Sequence, residues 1–275
     1  MIASRLARGE PVHAEDAVLY APLGRFEGRP AIEAYVTDQR ERFPGLRAAV
    51  HDHFASIDGT RECFRLRLTW DAGSGAETHS VRLRDGLIVE QVVGVSTFDM
   101  AKVLLVDHRL EFARDVPDPA PEIELDGCTL ARRFVRAFDA RDIDAFDALF
   151  TPDTEIYTPL AWPVTGLEAV KAFVDEFHAA NPGLRVRLHD EFESADGTRV
   201  CWRIRLHFHN TMPFFGNPPT GEVGVMPETH ATTLREGRIA RFVVGDNGLA
   251  MPHQELVTWR MDFPAGANDP DPPLA

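Results

Sequence analysis

The fold is decided by a segment that occurs twice in the chain, PGLRAAVHDHFASIDGTRECFRLRL at 44–68 and PGLRVRLHDEFESADGTRVCWRIRL at 182–206. These segments lie 138 residues apart and align without a gap. A second matching pair follows, ETHSVRLRDGLIVEQVVG at 77–94 and ETHATTLREGRIARFVVG at 228–245, with a separation of 151 residues. Similarity over this length indicates a tandem repeat of one structural unit.

The repeats divide the chain into two domains, at 1–112 and 127–263. The segment between them, 113–126, is rich in Pro and Asp and predicts a linker. The last residues, 264–275, predict a flexible tail. Met1 aligns with a residue near the end of the first helix of the second copy, so the first copy lacks most of that helix. Either the first domain is open there, or another element fills the gap, or the sequence begins after the natural start.

Each copy reads as helices followed by an antiparallel sheet. Leu130, Phe134 and Phe138 have helical spacing and predict a helix over about 129–141. The run Thr165-Gly166-Leu167-Glu168 is a capping box, which predicts a second helix that reaches about Ala180. After it the apolar residues alternate, as in strands, and Asp-Gly pairs mark hairpin turns. The predicted fold class is therefore α+β, with helices that cover one face of each sheet.

Composition excludes several classes of function. The chain has 29 basic and 43 acidic residues and a net charge of −14, which disfavours nucleic acid and anionic membranes as partners. No apolar run approaches the ~18 residues of a membrane span, and the N-terminus shows no signal peptide. Three cysteines do not make a disulfide framework and fit a reducing cytoplasm. Arginine greatly outnumbers lysine, which we interpret as the codon bias of a bacterial source.

Three stretches resemble the SnoaL-like polyketide cyclases, within the nuclear transport factor 2-like superfamily. They are FTPDTEIYTPLAWPVTGLEAVKAFVDEF (150–177), FFGNPPTG (214–221) and LREGRIARFVVGDNGLAMPHQEL (234–256). The resemblance covers most of 125–263 and, more weakly, 10–112. It implies two tandem cone-shaped domains, each with N-terminal helices packed on a curved antiparallel sheet.

The resemblance also implies a chemistry. Members of the family close linear polyketides by an aldol reaction, with an acidic residue near the end of a late strand as general acid and base. Asp246 occupies that position in this chain. Inside an apolar cone its pKa should rise toward neutrality, which suits proton transfer at a carbon next to a carbonyl. We therefore predict a cofactor-free cyclase or isomerase that acts on a polyketide-like or polycyclic carbonyl compound.

Two alternatives stay open. The same cone could bind a small hydrophobic molecule without catalysis, as an accessory protein. An epoxide-opening hydrolase or cyclase would instead need paired carboxylates, with Glu155 or Asp153 converging on Asp246. The sheets of superfamily members often pair, so the chain could form an internal pseudo-dimer or a homodimer.

The second copy is the predicted active domain, and the first is predicted to be degenerate. Where the second copy has Asp246, the first has Val95. The second copy also contains 13 additional residues (151 − 138) within 209–227. Phe214 and Phe215 in this stretch are interpreted as a rim that narrows the mouth of the pocket, or else as a contact with the neighbouring domain.

Other side chains are weaker candidates. His230 could stabilise an oxyanion beside Asp246, although His79 occupies the same place in the first copy. His209 could line the pocket, and the sequence His207-Phe208-His209 is interpreted as an ordinary strand rather than a metal site. The aromatic candidates for substrate contact are Tyr157, Trp162 and Phe242. No phosphate loop, dinucleotide fingerprint or CxxC motif occurs, so no cofactor or metal is predicted.

Overall fold

The computed structural model describes residues 1–111, 116–160 and 164–261. The first copy contains α1 (Ile2–Ala7), β1 (His13–Ala21), β2 (Gly24–Glu27), α2 (Arg29–Arg42), β3 (Arg47–Ala55), β4 (Arg61–Trp70), β5 (Gly73–Arg84), β6 (Leu87–Val95) and α3 (Phe98–Lys102). The second contains α4 (Leu130–Asp139), β7 (Phe150–Tyr157), β8 (Val164–Thr165), α5 (Leu167–Ala180), β9 (Arg185–Glu193), β10 (Arg199–His209), β11 (Val223–Arg235), β12 (Arg238–Asp246) and α6 (Ala250–His253). The predicted α+β fold with two like units is confirmed.

The strands form one continuous sheet with the order β3-β4-β5-β6-β12-β11-β10-β9. Within each copy the long strands are antiparallel, and the first strand runs parallel to the last: β1 pairs with β6, and β7 with β12. The main strands of the two halves join at the ends of β6 and β12, where Val95 pairs with Asp246. The two equivalent positions that distinguish the copies are therefore neighbours at this junction.

Local sequence explains most element ends. Thr129 caps α4, since its hydroxyl accepts a hydrogen bond from Arg132 N. The predicted capping box at the start of α5 is wrong. Thr165 belongs to strand β8, where it pairs with Glu155, and the helix begins after Gly166, whose φ of 84° few other residues adopt. The Gly166 amide donates instead to the carbonyl of Thr154 (2.7 Å).

The helix that the first copy lacks is replaced by a shorter one. α1 has six residues and packs on β3 and β4, just as the ten-residue α4 packs on the equivalent β9 and β10. In this sequence, α1 therefore occupies part of the place that the first helix has in the second copy. It provides no counterpart of Phe134.

The two copies pack against each other through equivalent residues. Gly94 and Gly245 approach so closely that a Cβ on Gly94 would lie 2.4 Å from the carbonyl carbon of Gly245. Ser56 bridges to Ser194, and the rings of Phe54 and Phe192 lie 5.8 Å apart. Equivalent residues thus meet around a pseudo-twofold axis.

Arginines are buried at alternating positions of two equivalent strands: Arg65 and Arg67 in β4, and Arg203 and Arg205 in β10. Arg203 is 1% exposed, and its guanidinium contacts Glu90 of the first copy (3.0 Å), Asp118 (3.2 Å) and Asp190 (3.5 Å). Asp118 belongs to the described part of the predicted linker, 116–126, which contacts the second copy here. Arg203 therefore pairs with carboxylates of both copies and of the segment between them.

No helix in the three described segments combines the length and the apolar character needed to cross a lipid bilayer.

Candidate functional site

Each copy has a cavity between its long helix and its sheet, and the cavity of the first copy is much larger than that of the second. The first cavity has a volume of about 450 Å³ and lies between α2 and the concave face of the sheet. The equivalent cavity in the second copy has only about 60 Å³. Small-molecule sites commonly occupy about 300–1,000 Å³, so only the first cavity is large enough to hold a substrate.

Phe134 fills the centre of the second copy, which we call the second cone: the space between α4, α5 and the sheet of that copy. Its ring lies between 5.5 and 6.1 Å from six other rings, which include Trp202, His230 and Phe242. The sequence of α1, IASRLA, offers no aromatic ring for this central place. The first cavity lies where Phe134 and its neighbours fill the second copy.

Four polar side chains of the first cavity are replaced by phenylalanine in the second. Both members of each pair line their respective cavities, and the strand registers confirm the equivalence, since His13 pairs with Ile88 as Phe150 pairs with Ile239. The four pairs are His13 and Phe150, Tyr35 and Phe173, Gln39 and Phe177, and Gln91 and Phe242. The first cavity is thus polar and roomy, whereas the second is apolar and filled.

The additional segment of the second copy covers its cone. Phe214 is 1% exposed and packs against Phe173 and Phe177 of α5, at ring distances of 6.1 and 5.7 Å. Phe215 is 41% exposed and also contacts Phe173. Both side chains therefore lie over the second cone, as the rim interpretation expects, rather than against the first domain. In the first copy a tight turn between Trp70 and Gly73 replaces this segment, so no such cover exists.

A chain of buried hydrogen bonds lines the first cavity. His13 Nε2 lies 2.6 Å from the side-chain oxygen of Gln91, Oε1. The side-chain nitrogen of the same glutamine, Nε2, lies 2.9 Å from His79 Nδ1. An amide oxygen only accepts and an amide nitrogen only donates, so His13 carries a proton on Nε2 and His79 Nδ1 is an acceptor. Burial lowers the pKa of His13, which favours this neutral form. In neutral His79 the proton is therefore on Nε2.

Glu77 completes this group. Its Oε2 lies 3.2 Å from His79 Nε2, close enough for an ion pair but without the angle of a hydrogen bond. Among the described residues His79 Nε2 has no hydrogen-bond partner, although His79 is 3% exposed. A buried N–H of this kind is costly unless a ligand accepts from it. The first cavity thus presents a carboxylate and a histidine N–H side by side.

Asp246 has a different environment from the one predicted. It is 2% exposed, and burial, together with the negative charge of Glu228, raises its pKa to about 7. However, its Oδ1 accepts hydrogen bonds from the amides of Gly248 and Leu249, both at 2.7 Å. It is not among the residues that line the second cavity. Asp246 is therefore buried with a raised pKa, as predicted, but its predicted position inside the apolar cavity of the second copy is wrong.

The remaining candidates are dispersed. His230 and Phe242 line the small second cavity, where His230 Nε2 lies 2.7 Å from Glu228 Oε2. His209 is exposed at the end of β10, so its predicted place in a pocket is wrong. The Tyr157 hydroxyl donates to Glu155 Oε2 (2.9 Å), away from the second cavity. Trp162 lies outside the described residues.

The carboxylate pair of the epoxide alternative does not form. Asp153 is exposed and pairs with Arg235, and Glu155 is exposed at its contact with Tyr157, so neither converges on Asp246. Within the described part of the chain, no group of three or more His, Cys, Asp or Glu side chains could hold a metal ion.

Comparison with known families agrees with this architecture. The model of the SnoaL-like domain matches residues 3–91 and again residues 131–242. The chain belongs to the SnoaL-like family. No curated protein is similar enough to match the sequence.

Solved structures of this family are similar to single copies of the SnoaL-like unit. A protein from Jannaschia assigned to the SnoaL-like polyketide cyclases is 23% identical, with a TM-score of 0.39, over 45% of this chain and 89% of its own. TsrD from Streptomyces laurentii is 19% identical, with a TM-score of 0.40, over 46% and 92%. A SnoaL-like polyketide cyclase from Agrobacterium tumefaciens is 18% identical, with a TM-score of 0.37, over 46% and 98%.

Sequence reasoning missed the group formed by His13, Glu77, His79 and Gln91. One signal was available, because the repeat alignment places phenylalanine opposite both His13 and Gln91. The significance of that signal depends on cavity volume, which the alignment does not show.

Proposed function

We propose that the protein is a cofactor-free enzyme of the cyclase or isomerase type, and that its active site is the cavity of the first SnoaL-like copy. Its substrate would be a polyketide-like or polycyclic carbonyl compound. The observation that carries this proposal is the pairing of the Glu77 carboxylate with the Nε2–H of His79 in a cavity large enough for such a substrate. The family membership supports a cyclase or isomerase role in general.

Each residue of the group would have a distinct task. Glu77 would take a proton from the carbon next to the substrate carbonyl, and the electron pair of that C–H bond would become an enolate. His79 would donate its Nε2–H to the developing enolate oxygen, as oxyanion donors do in related chemistry. His13 and Gln91 are positioning residues that keep His79 in this tautomer. The enolate carbon would then either attack a second carbonyl carbon, whose oxygen takes the proton back from Glu77 as the C–C bond forms, or the enolate would be protonated by Glu77 at another carbon.

The test is proton exchange rather than a full reaction. The protein is incubated in D2O with 2-tetralone or 1-phenyl-1,3-butanedione, and loss of the α-proton signal is followed by ¹H NMR. We expect the wild type to accelerate exchange above buffer, and Glu77→Gln to lower this acceleration about 100-fold, as positioned acid–base groups commonly contribute 10²–10⁴.

Glu228→Gln is the matched control, because Glu228 is the equivalent residue in the filled second cone. It should leave exchange unchanged. If Asp246→Asn abolished exchange and Glu77→Gln did not, the second copy would be the active one, as the family resemblance implied. If wild-type protein bound the ketones without any exchange, the accessory binding role would replace the enzyme.

We also place this activity in a bacterial cytoplasm. Cys63, Cys128 and Cys201 are all free thiols, which suits a reducing compartment.

A further inference from the structure

The first cavity carries opposite charges at its two ends. Glu77, His79 and Gln91 are at the inner end, where the latter two are buried. The exposed lining residues include Arg40 and Arg47. The only charged residue that lines the second cavity among the described residues is Glu228. Because the chain has a net charge of −14, its composition does not explain why positive side chains gather at the mouth of this cavity.

The two arginines have no acidic partner among the described residues, although ion pairs are common on this protein. On the same helix Arg42 contacts Asp38 (2.7 Å), and at the same mouth Arg8 contacts Glu10 (2.7 Å). The Arg40 guanidinium lies beside Gly9, just after the end of α1, since a Cβ on Gly9 would lie 2.4 Å from its Nη2 atom. Arg40 also lines the cavity.

The second copy does not repeat this arrangement. The residue equivalent to Arg40 is His178, whose Nε2 donates to the carbonyl of Phe138 (2.6 Å) inside the domain. Arg185, the equivalent of Arg47, donates to the carbonyl of Leu184 (2.9 Å). Among the described residues, arginines without an acidic partner therefore line the first cavity, whereas no arginine lines the second.

We infer that the ligand of the first cavity carries an acidic oxyanion group, a carboxylate or a phosphate ester, which Arg40 and Arg47 bind at the mouth while its apolar body extends toward Glu77 and His79. Guanidinium groups bind both kinds of oxyanion through paired N–H donors. The apolar side chains between the two ends, such as Leu66, contact the body of the ligand. This inference rests on the proposed function in one respect, namely that Glu77 and His79 act on the end of the ligand that lies deepest in the cavity.

The test uses three ligands with the same ten-carbon chain and different ends: decanoate, decyl phosphate and decanol. Isothermal titration calorimetry of the full-length protein gives the Kd of each. We expect at least one of the two anions to bind at least tenfold more tightly than decanol. The double variant Arg40→Gln/Arg47→Gln should reduce this preference to twofold or less and leave the Kd of decanol unchanged. Which anion binds more tightly identifies the oxyanion.

Arg42→Gln is the matched control, since it removes a positive charge from the same helix at a residue that does not line the cavity. It should preserve the preference. Equal Kd values for decanol and both anions, an equal effect of Arg42→Gln, or no binding of any of the three would overturn the inference. Tight decanoate binding without ketone exchange would instead remove the proposed function and leave this inference intact.

Discussion

Replacing Asp246 by Asn separates a structural from a catalytic role for this residue. Asn keeps the Oδ1 acceptor for the Gly248 and Leu249 amides but cannot ionise. Burial and the nearby Glu228 outweigh these two hydrogen bonds and raise the pKa of Asp246 from 3.8 to about 7. In the unfolded chain the carboxyl ionises near its ordinary pKa, so folding opposes its ionisation.

The sign and size of the effect follow from this difference in pKa. Below pH 3.8 Asp246 is protonated in both states and has no pH-dependent effect on stability. As the pH rises from about 4 to 7, the unfolded state ionises first, and the wild type loses stability. Above pH 7 the loss reaches about 4 kcal/mol, since each pKa unit corresponds to about 1.36 kcal/mol. The Asp246→Asn variant does not incur this loss.

The assay is urea unfolding of the wild type and the variant at several pH values from 4 to 8. The stability of Asp246→Asn relative to the wild type should increase steadily across this range, by about 4 kcal/mol. Asp153→Asn is the control with the opposite sign, because the Arg235 hydrogen bond lowers the pKa of Asp153. That variant should be less stable than the wild type at neutral pH and approach it as the pH falls below about 4.

A difference between Asp246→Asn and the wild type that does not change from pH 4 to 8 would refute the argument that burial dominates. The same variant should retain the ketone exchange activity, since Asp246 does not line the first cavity.

Two further predictions concern packing. Phe134→Ala should destabilise the protein by about 3–5 kcal/mol in urea unfolding, because it removes the ring at the centre of the second copy's core. The control is Met212→Ala, which changes an exposed residue of the same copy. A loss below about 1 kcal/mol for Phe134→Ala would contradict the tight packing around this ring. Gly94→Ala should cost about 1–3 kcal/mol in the same assay, since its methyl group would collide with the Gly245 backbone. Unchanged stability would show that the two copies do not pack this closely.

Much of the fold could be predicted from the sequence because it depends on local patterns. Alternation along 199–209 specified a strand. The turn at Asp85-Gly86 has positive φ angles of 53° and 72°, as the Asp-Gly hairpin signal required. The capping box failed because Thr165 pairs with Glu155 in a strand, and a tertiary contact of this kind outweighs a four-residue motif.

The location of the candidate site could not be predicted in this way. Asp246 stood out because an acid faces Val95 in the other copy, yet its carboxylate is occupied by two backbone amides. Those contacts depend on how the chain turns after β12, which residue identity does not reveal. The pairs of His13 with Phe150 and Gln91 with Phe242 were visible in the alignment but had no evident meaning there.

The sequence alone determined that the chain is a duplicated α+β protein, because a repeat and its hydrophobic period are properties of residue order. Only the tertiary structure decided which copy can hold a ligand. A cavity is the volume that packed side chains leave empty, and this volume depends on whether the ring of one distant helix, Phe134, reaches the centre of the cone. The sequence shows that the second copy contains Phe134, but it does not show the volume of the cavity in the first copy, which has no such ring at this place.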